Sequence, residues 1–439
     1  MRKKKIMTPA ETVNWLNRHV IGQDQAKRTV SIALRNRYRR KQVQEPMQSE
    51  IYPSNLIMMG PTGVGKTEIA RRMANLVGAP FVKVEASKYT ETGYVGRDVE
   101  GIIRDLVRSA VNLATSSARE EKSEEVRTRV NKRLLDALSK TGVDYGSSGE
   151  LADLLDQGRL DPIEIELSVT EQAIGVEVFP MIPGQGFDNQ INDQMKKMLD
   201  KVIGKRRKKI TLPVSEARKK IFDDEMARVL DGGDHIQEGL KLAQEEGIVF
   251  IDEIDKIIGS EGGSGPDVSR MGVQRDLLPL VEGSTVGTRY GPVKTDHILF
   301  IAAGAFHGSS PADLIPELQG RFPLRVSLDP LSEDDLLRIL TEPESCVLDQ
   351  YVQLLAADGL ELIVEDQAKR KIASTARFLN EEKEDIGARR LRSVLSFLLD
   401  EYLFGAPDII KGKVRLTGKK ATYRLGTLVE RKSEEGYIL

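Results

Sequence analysis

Gly60-Pro61-Thr62-Gly63-Val64-Gly65-Lys66-Thr67-Glu68 is the stretch that decides how this chain is read. Its first eight residues fit G-x-x-x-x-G-K-[ST], and the flanks are those the pattern needs. Before it, Leu56-Ile57-Met58-Met59 is a short apolar run of the kind that forms a buried parallel strand. After it, Ile69, Met73, Leu76 and Val77 recur at helical spacing. A glycine-rich turn between strand and helix lets backbone N–H groups converge on phosphate oxygens, and the helix start adds partial positive charge. Gly60, Gly63, Val64, Gly65 and Glu68 are therefore expected to line a nucleotide. Lys66 should reach its β- and γ-phosphates, and the Thr67 hydroxyl should ligate Mg2+. The expected cofactors are ATP and Mg2+.

Outward from this loop, Phe81-Val82-Lys83-Val84, Ile248-Val249-Phe250-Ile251, Ile298-Leu299-Phe300-Ile301 and Leu324-Arg325-Val326-Ser327-Leu328 read as further strands. Strands alternating with helices predict an α/β fold, a parallel sheet flanked by helices. Residues 11–43 read as a helical lead-in. Ile248–Ile251 ends in Asp252-Glu253. Asp252 stands where a second Mg2+ carboxylate is needed, and Glu253 is placed to polarise an attacking water as general base. Together with the phosphate loop, this pair argues for hydrolysis rather than transfer to another acceptor.

Between Thr67 and Asp252 the chain is much longer than two βαβ units of roughly 30 residues require. The excess is charged and helix-prone, as in Arg119-Glu120-Glu121-Lys122 and Glu124-Glu125-Val126-Arg127. It contains a break at Gly146-Ser147-Ser148-Gly149 and a basic run from Lys205 to Lys209. Solvated helix faces explain these charges more simply than an electrostatic site does. The predicted organisation is a split core, 1–108 and 241–330, with a large, mostly helical insertion at 109–240. A smaller, mainly helical domain, 331–439, completes it. There, Ser332 and Asp335 resemble a capping box, and Leu391, Val394, Leu395, Leu398, Leu399, Tyr402 and Leu403 form an amphipathic stripe.

Composition sets the outer bounds. At 439 residues, two to four domains are expected. Lys plus Arg total 65 against 67 Asp plus Glu, a net charge of −2 that demands no polyanionic partner. The single cysteine, Cys346, excludes an internal disulfide and a cysteine-rich zinc finger. The basic start Met1-Arg2-Lys3-Lys4-Lys5 is followed by no apolar signal region, and no run suits a membrane span. The expectation is a cytoplasmic protein.

These residues resemble the AAA+ superfamily, specifically its Clp/HslU branch. Besides the two sites above, the resemblance rests on His19-Val20-Ile21-Gly22-Gln23-Asp24-Gln25-Ala26-Lys27-Arg28, Gly93-Tyr94-Val95-Gly96, Pro316-Glu317-Leu318-Gln319-Gly320-Arg321 and Gly387-Ala388-Arg389-Arg390. It implies that Ile21 packs on adenine; a helix-start turn in the core is the plainer alternative. Arg321 would be an arginine finger reaching the nucleotide of a neighbouring subunit, so that a homo-hexameric ring is needed for activity. Glu317 would be a nucleotide-proximal carboxylate; the competing reading is an i,i+4 ion pair with Arg321. Arg389, rather than Arg390, would sense the γ-phosphate from the C-terminal domain. Tyr94 and Val95 would form a pore loop that grips any polypeptide through apolar contact.

The resemblance further implies an unfoldase that feeds the peptidase HslV, docked through the tail Tyr437-Ile438-Leu439. The chain departs from the superfamily in Phe300-Ile301-Ala302-Ala303-Gly304-Ala305-Phe306, which offers no polar sensor residue after the fourth core strand. A ClpX-like unfoldase serving another peptidase is the nearest rival. Such chains usually begin with a cysteine zinc module and lack a large insertion. A nucleic-acid motor shares the core motifs, but near-neutral charge and an aromatic pore loop speak against it. A nucleotide-binding regulator without turnover would not need Glu253.

Overall fold

A computed structural model describes residues 7–89, 98–141, 151, 153–155, 157–170, 207–258 and 267–434. The strands are β1 (Leu56–Met59), β2 (Phe81–Glu85), β3 (Glu164–Thr170), β4 (Arg207–Pro213), β5 (Ile248–Asp252), β6 (Thr285–Thr288), β7 (Gly291–Lys294), β8 (Leu299–Gly304), β9 (Leu324–Ser327), β10 (Leu360–Val364) and β11 (Gly412–Leu416). The chain divides into two compact units. The larger comprises Arg2–Ala110, Leu240–Thr288 and Pro292–Leu439; the smaller is chiefly Val111–Gly239.

The larger unit is built on a five-stranded sheet of order β2-β5-β8-β1-β9, parallel throughout. Leu56, Ile57, Met58 and the run Ile248–Ile251 are almost wholly buried, because helices cover both faces of such a sheet. Each such side chain contributes about 1.5–3 kcal/mol when fully buried. Registers of Met59 with Gly304 and Glu85 with Asp252 bring the carboxyl ends of β1, β8, β5 and β2 to one edge. Ligands bind at that edge in open α/β sheets.

The lead-in expected over 11–43 is helical, with a turn at its middle. It is two helices, Pro9–Asn17 and Asp24–Arg40. Gly22 and Gln23 interrupt them with φ of 63° and 60°, which no helix accommodates. The Gln23 amide exchanges two hydrogen bonds with the backbone of Asp329, at 2.9 and 3.0 Å. This pins the break to the segment after β9. The strand expected at 298–301 runs instead from Leu299 to Gly304.

Beyond β9 lie helices Glu333–Thr341, Val347–Ala357, Asp366–Glu382, Arg389–Gly405 and Gly418–Glu434, with a small parallel sheet of β10 and β11. Ser332 and Asp335 form a reciprocal capping box. Leu391, Val394, Leu395, Leu398, Leu399 and Tyr402 are buried, but Leu403 is exposed, because the stripe outlasts its partner surface. These helices share one continuous hydrophobic core with the sheet and lie in the same compact unit.

The smaller unit has its own core. Val126, Val130, Leu134 and Leu138, on the helix Glu100–Leu138, pack with Ile165 and Leu167 of β3. Val214, Ala217, Ile221 and Met226, from the helix Val214–Leu230, complete the cluster. Of the basic run Lys205 to Lys209, residues 207–209 lie in β4, antiparallel to β3. Gly239, where the chain leaves this unit, lies against Val111, where it arrives: a Cβ at 239 would stand 2.7 Å from the Val111 Cα.

Candidate active site

The turn after β1 carries positive φ at Gly60, Gly63 and Gly65, and Gly65 begins the helix Lys66–Val77 without any side-chain cap. The first amides of that helix therefore remain available to an anion. Lys66 is 9% exposed, and its Nζ donates to the carbonyls of Gly60 (2.5 Å) and Pro61 (2.8 Å). Burial lowers its pKa; Asp252 and then Asp255 oppose this, and the positive charge of Arg389 adds to it. An ammonium held by carbonyls over a cradle of bare amides is a group prepared for phosphate oxygens.

Across the sheet, Thr67 Oγ1 lies 3.5 Å from Asp252 Oδ2. Two oxygens in one Mg2+ shell are about 2.9 Å apart when adjacent and about 4.2 Å when opposite, given bonds of about 2.1 Å. The observed 3.5 Å is wider than an adjacent pair, so the two oxygens come into one octahedral shell with a side-chain adjustment of about half an ångström. Asp252 is also held by Lys83 of β2, with Nζ to Oδ2 of 2.8 Å. Glu253 adopts φ 56°, a left-handed conformation that costs about 1–3 kcal/mol and points to a functional constraint. Its Oε2 accepts from Ser87 Oγ at 2.8 Å. Glu68 bonds to Arg71 and Arg72. Burial alone would raise its pKa, but these two arginines hold it below the usual value.

Val20 lies beside the loop, its Cγ1 3.5 Å from the position a Cβ would take on Gly65. Its neighbour Ile21 is 4% exposed. Arg321 does not pair with Glu317, which is exposed. Its Nε and Nη2 donate instead to Glu282 Oε1, at 3.1 and 3.0 Å. The backbone of Arg321 is fixed by buried Asn55, which donates to its carbonyl and accepts from the amide of Phe300. Arg390 is buried and tied to Asn380 and the carbonyl of Glu384. Arg389, one residue earlier, is exposed and close enough to act electrostatically on Lys66. Tyr94, Val95 and Tyr437-Ile438-Leu439 lie outside the described residues.

Lys83, Ser87 and Glu282 were not legible as site residues in the sequence. Lys83 carries one weak signal, a charge inside an otherwise apolar strand. The contact between Ala388 N and Gly63 O, at 3.1 Å, carries none.

Among the described residues no helix is long and apolar enough to cross a membrane. Two family models match the chain: "ATPase family associated with various cellular activities (AAA)" over residues 56–144 and "AAA domain (Cdc48 subfamily)" over 177–325. The chain is 46% identical to the ATP-dependent protease ATPase subunit HslU of Geobacillus kaustophilus, over 99% of each chain. It is 51% identical to the protein of that name from Bartonella tribocorum, over 92% of each. It is 44% identical to the ATP-dependent protease ATPase subunit ClpY of Bacillus subtilis, over the full length of both.

Proposed function

This chain belongs to the HslU (ClpY) family of ATP-dependent protease ATPase subunits, and from that premise we propose that it works as a hexameric ring which unfolds proteins and passes them to an HslV peptidase. It is an AAA+ ATPase and not itself a protease. The observation that carries the finer reading is the meeting, at one sheet edge, of the phosphate loop, the Thr67–Asp252 pair and the strained Glu253.

In the proposed cycle the loop amides and Lys66 hold the phosphates of ATP. Thr67 and Asp252 would hold Mg2+, which neutralises charge on those phosphates. Glu253, steadied by Ser87, takes the proton of the attacking water. Arg321 reaches the nucleotide of the adjacent copy. Its pair with Glu282 is partly exposed, worth about 0–1 kcal/mol, so a phosphate can take it over. Ile21 packs on the base, with Glu317 near the nucleotide. Arg389 and the Ala388–Gly63 bond carry the change of nucleotide state to the C-terminal helices. Tyr94 and Val95 drag the substrate chain, residues 109–240 help admit it, and Tyr437-Ile438-Leu439 docks on the peptidase.

Incubating the purified chain with an HslV peptidase, ATP and a tagged folded reporter tests this. ATP-dependent loss of the reporter, with ring-sized particles retaining the peptidase, is expected. Hydrolysis stimulated by DNA and indifferent to unfolded protein would overturn it in favour of a nucleic-acid motor; retention of a different peptidase would favour the ClpX-like alternative.

A further inference from the structure

Asp255 lies three residues beyond Asp252, in the short turn Ile254–Ile257. Its Oδ2 accepts from the amide of Phe306 at 3.1 Å. Its Oδ1 is buried and has no hydrogen-bond partner among the described residues, and no ion pair is formed there. That oxygen rests on the bare Cα of Gly304, where a Cβ would stand 2.6 Å from Oδ1 and 2.8 Å from the Phe306 ring. Gly304 in turn touches the phosphate loop, its carbonyl accepting from the amide of Gly60 at 3.2 Å. Asp252, by contrast, has its charge offset by Lys83 at 2.8 Å.

A desolvated carboxylate oxygen without a donor costs stability, so its retention calls for something on which the charge acts. Here that something is the phosphate site. Gly304 joins the two: Oδ1 lies over its Cα, and its carbonyl takes the amide of Gly60 in the loop.

We propose that Asp255 is a specificity residue of the phosphate site, whose negative charge, with one oxygen left without a donor, repels a bare polyphosphate and so makes nucleotide binding depend on a divalent metal. A metal-free diphosphate or triphosphate brings its full negative charge towards both carboxylates. The metal complex brings two charges fewer and is correspondingly less repelled. This rests on reading residues 60–67 as the Mg-nucleotide site.

The test uses the full chain and a fluorescently labelled ADP, titrated with EDTA and with Mg2+. Asp255→Asn preserves the size of the side chain and an acceptor for Phe306. The ratio of metal-free Kd to Mg2+ Kd should fall about tenfold, chiefly through tighter metal-free binding. The thermal midpoint should not fall. A purely structural role would weaken both affinities alike. A ratio within twofold of wild type overturns the proposal. Should Asp255→Asn not fold, Asp255→Ser must show the same fall; if neither folds, Asp255 belongs to the framework and the proposal fails. Wild-type chain that binds no labelled ADP even with Mg2+ would sink the site itself.

Discussion

The amide of Ala388 donates to the carbonyl of Gly63 at 3.1 Å, so the start of the helix Arg389–Gly405 is fastened to the phosphate loop through backbone alone. The approach leaves no room for a side chain. A Cβ on Gly387 would come within 2.7 Å of Gly63 C and Thr62 O, and one on Gly63 within 2.0 Å of Ile386 O. Gly387 also has φ 56°. Gly387→Val should therefore prise the C-terminal helices from the loop, at about 1–3 kcal/mol from backbone strain alone. Thermal melting with and without ADP should show a lower midpoint and a smaller shift on adding nucleotide.

Glu253→Gln removes the base and keeps the shape. ATP should still bind, while turnover falls about 10²–10⁴-fold. Isothermal titration alongside phosphate release measures both; near-normal turnover would remove Glu253 from the mechanism.

Arg321→Ala should bind ATP normally and lose about 10³–10⁵-fold in turnover, as for an absent arginine finger. Mixed with Glu253→Gln subunits before assembly, it should regain part of the lost rate, because each variant supplies what its neighbour lacks. No recovery at any mixing ratio would place Arg321 at its own subunit's nucleotide.

Tyr94→Ala should leave basal ATP hydrolysis within about twofold of wild type while degradation of folded substrates stops, since grip and chemistry are separate steps. Persisting degradation would reassign the pore loop.

The surroundings of His297 disfavour its charged form. Burial first and Arg40 second lower its pKa from 6.5. The unfolded chain therefore binds more protons in the window just below pH 6.5, so stability is full above it and declines as the pH falls through it. His297→Gln should flatten that decline, read as the difference in urea midpoint between pH 7.5 and 5.5. Equal slopes would exclude His297 as a contributor.

What the sequence made legible was local. The strand, glycine turn and helix around Lys66, and the apolar run ending in Asp252-Glu253, each declare their geometry within about ten residues. What stayed hidden was long-range. Lys83 becomes a partner of Asp252 only because β2 pairs with β5, and Glu282 holds Arg321 from 39 residues away. Asp255 carries no signal in the sequence, because Phe306, whose amide donates to it, lies 51 residues away.

The closeness of Val111 and Gly239 has an architectural meaning. Two helices, Glu100–Leu138 and Asp234–Glu246, meet there, so the stretch between residues 111 and 239 begins and ends at one point. The gap between its two ends stays the same however long or elaborate the stretch between them is. Lineages can therefore enlarge, trim or redecorate it while the nucleotide-driven engine keeps its wiring.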